Sequence, residues 1–181
     1  MKFNIDLLSP ADQITARQLI GHGPWKVRDP DLTIAPDGKP YIYRWHIIPR
    51  AGMANLYFHV QTASDPERPL HDHPWDNMSV ILSGFYEEII SEQPNMPTEE
   101  NTRTVLRVTG ETVFRKAEWS HRLILPKGMP YTMTLFSTGP KRREWGFWYP
   151  DGWRSYKEVT EVRNGVSVHT AMVLPQTGSF Q

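Results

Sequence analysis

Two histidines one residue apart, His71 and His73, stand in the stretch "HDHPWDN", directly ahead of an apolar run. In an extended chain, residues two apart project to the same side, so both imidazoles can enter one cavity. If the extended run continues past Pro74, Trp75 and Asn77 share that side, and Asp76 points away. Pro74 donates no backbone hydrogen bond, which predicts an edge position or a kink there. Two imidazoles leave a metal under-coordinated, so a third ligand must come from another strand. His121 is the best donor. It opens "HRLIL", where alternation puts it in register with Leu123 and Leu125, facing inward. His46 and His59 also fall in β-like runs and are weaker candidates. His22 sits in a Gly-His-Gly-Pro turn and His169 near the C-terminus.

The chain has no cysteine. Disulfides, thiolate ligands and a cysteine nucleophile are excluded, and a transition-metal site has to use His, Asp or Glu. Asp76 and Asn77 are candidates for a fourth ligand or for a partner behind the ligands, since a ligating histidine hands its other N–H to an acceptor. Asp72 and Glu118 could also serve as that acceptor. Arg44 and Arg115 could hold a substrate carboxylate bidentately. Trp75 could wall the cavity, and Tyr131 and Tyr86 are the nearby phenols.

The elements that must position these residues are short. Lys plus Arg and Asp plus Glu both number 20 in 181 residues, a balance that argues against a nucleic-acid partner. No apolar run approaches the roughly 20 residues of a membrane span. The N-terminus does not read as a signal peptide, so the expected location is the cytoplasm. Sixteen prolines and twelve glycines punctuate β-like runs. Strands are predicted at Tyr41–Ile48, Leu56–Gln61, Ser79–Leu82, Phe85–Ile90, Thr104–Val108, Thr112–Arg115, His121–Leu125, Tyr131–Phe136 and Glu144–Tyr149. One helix is predicted before them: Ser9 caps it, Pro10 opens it and Gly21 follows it. "EVRNGVSVH" reads as a hairpin turning at Asn164-Gly165. The expected organisation is an N-terminal extension with a helix (1–40), a β barrel (41–157), and a C-terminal hairpin and tail (158–181). Aromatic strand faces and barrel edges also allow a homodimer.

The spacing resembles the two motifs of the cupin superfamily. His71-Asp72-His73, Asn77 and Gly84 fall in the frame of the first motif, with Asn77 where a Glu is usual. Gly110 and His121 fall in the frame of the second, whose Pro-x-Gly turn is here Lys116-Ala117-Glu118; Leu125 replaces its final Asn. The blocks "HDHPW", "ILSGFYEE", "FRKAEWSHRL" and "GPKRREWGFWYPDGW" also resemble a group of small bacterial and phage cupin-like proteins, over about Tyr41 to Tyr156. The resemblance implies an all-β, single-domain cupin, a double-stranded β-helix or jelly-roll barrel. It also implies His71, His73 and His121 as metal ligands. Three neutral imidazoles suit a divalent ion, Fe(II) foremost, with Zn, Ni or Mn as rivals. The expected function is an Fe(II)-dependent dioxygenase acting on a small polar or anionic molecule, although the Ser-x-His-x-Tyr relay of thiol dioxygenases is missing. The rival expectation is a non-catalytic small-ligand-binding cupin, or a metal-independent epimerase-like protein with His71 as base.

Overall fold

The computed structural model describes residues 2–23, 26–35, 38–48, 54–66, 69–93, 96–163 and 166–169. Thirteen strands and two helices follow one another there. The first helix, α1 (Pro10–Ile20), precedes β1 (Leu32–Ile34), β2 (Ile42–Ile48), β3 (Asn55–Gln61), β4 (Asn77–Ser83) and β5 (Phe85–Ser91). Then come β6 (Thr102–Val108), β7 (Thr112–Arg115), β8 (His121–Ile124), β9 (Thr132–Thr138), β10 (Gly146–Tyr149) and β11 (Gly152–Ser155). The one-turn helix α2 (Tyr156–Val159) leads into the hairpin β12 (Thr160–Arg163) and β13 (Val166–His169). The expected turn residues Asn164 and Gly165 lie outside the described residues, as does the tail from 170.

Two antiparallel sheets face each other. The larger has the order β1-β2-β3-β9-β4-β7. The smaller runs β6-β5-β8 and continues through the backbone of His71, which bridges His121 of β8 and Phe147 of β10, to the β10–β11 pair. Neighbours far apart in sequence, β3 with β9 and β4 with β9, give the crossed connections of a jelly roll. This is the all-β, single-domain jelly-roll arrangement that the resemblance led one to expect. No helix among the described residues is long and apolar enough to cross a membrane.

The large sheet divides its two faces by chemistry. Strand alternation sends Trp45, Phe58, Val60 and Met133 to the outer face, where they pack with Phe3, Leu8, Ala16 and Ile20 of the N-terminal segment and α1. Trp45 meets Phe3 edge-on at 5.3 Å and Phe58 at 5.5 Å. The main apolar core thus lies outside the barrel, between helix and sheet. The inner face carries Arg44, His59, Gln61, Ser79 and Phe136, which line a cavity. The N-terminal segment is therefore half of the hydrophobic core.

Ser9 caps α1 as its position predicts, accepting from the Asp12 N–H at 3.2 Å. Tyr131 pins that cap to the barrel: its hydroxyl accepts from the Ser9 N–H (2.8 Å) and donates to Asp12 Oδ2 (2.6 Å). Ser83 Oγ donates to the same carboxylate at 2.9 Å. Between β4 and β5, Gly84 turns the chain at φ 80°, where a Cβ would come within 2.8 Å of the Tyr131 carbonyl oxygen. Tyr131→Phe should cost about 1–3 kcal/mol of stability, because it strands the Ser9 amide and removes one of the donors to Asp12 Oδ2. It should leave divalent-metal affinity unchanged, and denaturant unfolding with a metal titration checks both.

Candidate metal centre

His71 and His121 exchange backbone hydrogen bonds, His71 N–H to the His121 carbonyl at 3.0 Å and the reverse at 2.9 Å. That reciprocal pair sets their side chains next to each other, with ring centroids 4.9 Å apart. His73 is tied one step further on, its N–H donating to the Ala117 carbonyl at 3.0 Å. The residue between the two histidines points the other way. Asp72 is fully buried and accepts from the Gly146 N–H (2.8 Å), Arg143 Nη1 (2.6 Å) and Trp153 Nε1 (2.9 Å). It anchors the histidine segment to the β10–β11 pair. Gly146 is required for the close pairing of β10 with β11, since a Cβ there would sit 2.0 Å from the Arg154 carbonyl oxygen. Past His73 the chain bends at Pro74 and Trp75, and β4 begins at Asn77.

One nitrogen from each of His71, His73 and His121 lies within 4.8 Å of the others. The Nε2 atoms of His73 and His121 are 2.8 Å apart. That is close to the roughly 3 Å edge made by two ligands at right angles around an ion with bonds of about 2.1 Å. The tautomer of His121 is fixed from behind. Its Nδ1 lies 2.7 Å from Glu88 Oε1; an ionised carboxylate only accepts, so Nδ1 carries the proton and Nε2 offers its lone pair. Glu88 has no exposed surface. It also accepts from Arg115 Nε at 2.6 Å and Arg107 Nε at 2.8 Å. Burial alone would push its carboxyl up; the contact with His121, and after it the charge and hydrogen bond of Arg115, outweigh that and hold it well below the usual carboxylate range.

His73 is kept neutral by burial first, then by the neighbouring His121 and His71 and the charges of Arg115 and Arg44, all of which lower its proton affinity well below that of free histidine. A neutral imidazole is the form that binds metal. Asn77 is 2% exposed on the inward side of β4, paired in register with Arg115. Neither its amide oxygen nor its amide nitrogen has a hydrogen-bond partner among the described residues. A buried amide left so costs about 1–3 kcal/mol, and a hard neutral oxygen donor of this kind suits a divalent ion. The donor set therefore fits a metal.

The structure gathers His71, His73, His121, Trp75, Arg44 and Arg115 around one cavity of about 580 Å³. Trp75 stacks on His73, centroids 5.2 Å apart at 14°. Arg115, 3% exposed, is engaged by Glu88, by Ser79 Oγ (3.1 Å) and by the Tyr86 hydroxyl (3.4 Å). Tyr131 stands at the helix cap described above. Asp76 Oδ1 accepts from the Ala117 N–H at 2.8 Å and from Arg142 Nη1 at 2.5 Å, which fixes the loop before His121. The acceptor behind His121 is thus Glu88, not one of the three acids named from sequence. A signal for it existed: Glu88 alternates inward with Tyr86 and Ile90 in "FYEEII", where an acid is costly unless paired.

With that geometry in place, comparison with known proteins adds distant likenesses. No known family profile and no curated protein matches this sequence. Among solved structures the chain is similar to Fe(II) HppE, with 15% identity and a TM-score of 0.48 over 66% of this chain and 62% of that one. It is similar to the DMSP lyase DddQ from Ruegeria pomeroyi, with 17% identity and a TM-score of 0.48 over 66% of this chain and 57% of that one. The polyketide cyclase RemF from Streptomyces resistomycificus matches at 18% identity and a TM-score of 0.48, over 60% of this chain and 72% of that one. The chain spans about three fifths of the length of the first two.

Two outcomes follow from the site's electrostatics. Glu88→Gln leaves Arg115 buried without its counter-charge and should cost about 3–5 kcal/mol in denaturant unfolding. It should also weaken divalent-metal binding 10- to 100-fold, as loss of an acceptor behind a ligand does; unchanged affinity would rule out that role.

His59 is buried and, like the partly buried His73, is held well below free histidine, by burial first and then by Arg44 and His46. Between the ordinary value near 6.5 and their lowered folded values, the unfolded chain binds more protons than the folded one. Stability of the metal-free protein should therefore fall as pH drops from 7.5 to 5.5, by up to about 1.4 kcal/mol per pH unit for each of the two below about 6.5. His59→Gln should remove about half of that slope.

Proposed function

We propose that this protein is a metal-dependent cupin whose His71, His73 and His121 hold Fe(II), and that it oxygenates a polar or anionic small molecule. The observation that carries the reading is the convergence of three imidazole nitrogens on the wall of the cavity, with His121 oriented by a buried carboxylate. Zn, Ni and Mn are the rival ions, since a neutral nitrogen set admits them all and availability decides among them. When bound, iron would supply the electron-transfer chemistry that lets dioxygen react with an organic ligand.

The protein's own contribution is charge and placement. Three neutral imidazoles, and Asn77 where an acid would have reduced the charge, leave a divalent ion at its full +2. The one buried acid behind the ligands, Glu88, is offset by both Arg107 and Arg115. The cavity therefore favours a ligand that brings its own negative donor. Trp75, flat against His73, shields the histidines from water on one side.

Metal analysis and titration of protein purified without an affinity tag test the centre. One divalent ion per chain is expected, with loss of at least 100-fold in affinity in His121→Ala; no stoichiometric ion and no effect of that substitution would defeat the reading. Oxygen uptake by the iron-loaded protein across a panel of organic acids tests the reaction. Ligands that raise the melting temperature without consuming oxygen would point instead to a binding protein.

A further inference from the structure

Behind the histidine centre the two sheets leave a second opening. Among the described residues β6 pairs only with β5 and β7 only with β4, so the chain turns at Gly110 from the edge of one sheet to the edge of the other without joining them. The space between these edges is about 310 Å³, at the lower end of the roughly 300–1,000 Å³ of ligand pockets. Arg115 and His121 line both this space and the main cavity, so the Glu88 cluster is the wall between them. Ile90 and Val113 supply apolar lining, and the exposed rings of Phe114 and Trp119 add to it.

Three guanidinium groups and two carboxylates line the space. Two of these five are spent on each other and on the wall: Glu88 accepts from His121, Arg107 and Arg115, and Arg115 gives further donors to Ser79 and Tyr86. Arg107 and Arg103 differ. They stand opposite Tyr86 and Ile90 in the β5–β6 register, so both lie on the Glu88 side of β6. Glu88 is the one hydrogen-bonding partner of Arg107 among the described residues, and the Arg107 side chain keeps some exposure. Arg103 meets Glu92 at 3.1 Å with both side chains more than half exposed, and a pair so open to water is weak enough for a ligand to displace. Ser120 adds a neutral donor. It is 2% exposed, and its hydroxyl has no partner among the described residues, an unfavourable state that a ligand oxygen would relieve.

We infer that this opening is a second ligand site, and that it takes a small carboxylic acid with an apolar body. The carboxylate is held by Arg107 and Arg103 with the Ser120 hydroxyl as a further donor, and the body covers Trp119 and Phe114. Guanidinium groups suit a carboxylate because their planar N–H donors match its two oxygens. The lining carries one more cation than anion, which suits a singly charged ligand better than a phosphate dianion. Exposed rings beside that charge give the body apolar surface to cover, which a bare inorganic anion would leave in water. The site goes beyond the reading proposed above and does not depend on a metal being bound.

Calorimetric and tryptophan-fluorescence titrations of the metal-free full-length protein test it. The probes are butanoate, hexanoate and octanoate, each with its amide, and inorganic phosphate. At least one alkanoate should bind about tenfold or more tighter than both its amide and phosphate. Arg107→Gln should cut the acid-over-amide preference to under about twofold. Arg103→Gln, at an exposed position outside the Glu88 cluster, should cut it at least about threefold, and it keeps the test open if the first variant does not fold. Trp119→Phe should still bind the acid by calorimetry while losing most of the fluorescence change, which locates the acid beside that ring. The proposal is overturned if no acid is preferred to its amide, if phosphate binds as tightly, if the preference survives both arginine variants, or if Trp119→Phe keeps the full fluorescence change. A preference seen in a protein that binds no divalent ion would leave this site standing and defeat the metal reading.

Discussion

A carboxylate with no contact with water must be surrounded by positive charge or hydrogen-bond donors, and much of the histidine centre follows from how Glu88 meets that demand. Its three partners come from three strands: Arg107 from β6, Arg115 from β7 and His121 from β8. β6 and β8 flank β5 in the small sheet, whereas β7 is the edge of the large one. The ion cluster therefore joins the two sheets at the point where the histidines converge. It also selects which nitrogen of His121 faces the cavity. Once His121 is set, the reciprocal backbone pair fixes His71, and Asp72, pulled outward by Gly146, Arg143 and Trp153, fixes the direction of the histidine on either side of it.

The electrostatic character of the centre comes from moving an acid, not from discarding one. A ligand carboxylate would cancel part of an ion's charge directly. Here the buried inward residue that opens β4 is the neutral Asn77, and the carboxylate is Glu88, which acts through the His121 imidazole. Two guanidinium groups then cancel Glu88 itself. The walls consequently present aromatic faces, imidazoles and the guanidinium groups of Arg44 and Arg115, the first donating to the His59 ring and the second to Glu88.

Much of this was legible in the chain. The nine strands expected from alternation all occur, each end within two residues of its expected place and Thr112–Arg115 unshifted, and α1 begins and ends where Ser9, Pro10 and Gly21 place it. His-x-His with a third histidine at the start of an apolar strand identified the three converging rings, because strand alternation is a local property. The short β1 and the glycine-opened β11 were missed, since three or four residues carry too little periodicity to register. Glu88 escaped because its partners lie 19 to 33 residues away in sequence, on strands whose pairing no local pattern specifies. The cavity and the Arg44–His59 contact depend on register between β2 and β3, which only the folded sheet defines.

The large sheet buries its apolar residues against α1 and keeps polar and aromatic ones on the side that faces the histidines. Cohesion and chemistry are thus assigned to opposite surfaces of the same strands. Alternate residues along β2, β3 and β9 answer to different demands, one set to packing and the next to ligand. A chain arranged in this way can exchange residues inside the barrel while its helix-covered side goes on holding it folded. Such a scaffold is open to new ligands through changes at every second position of three strands, with its hydrophobic core left as it is.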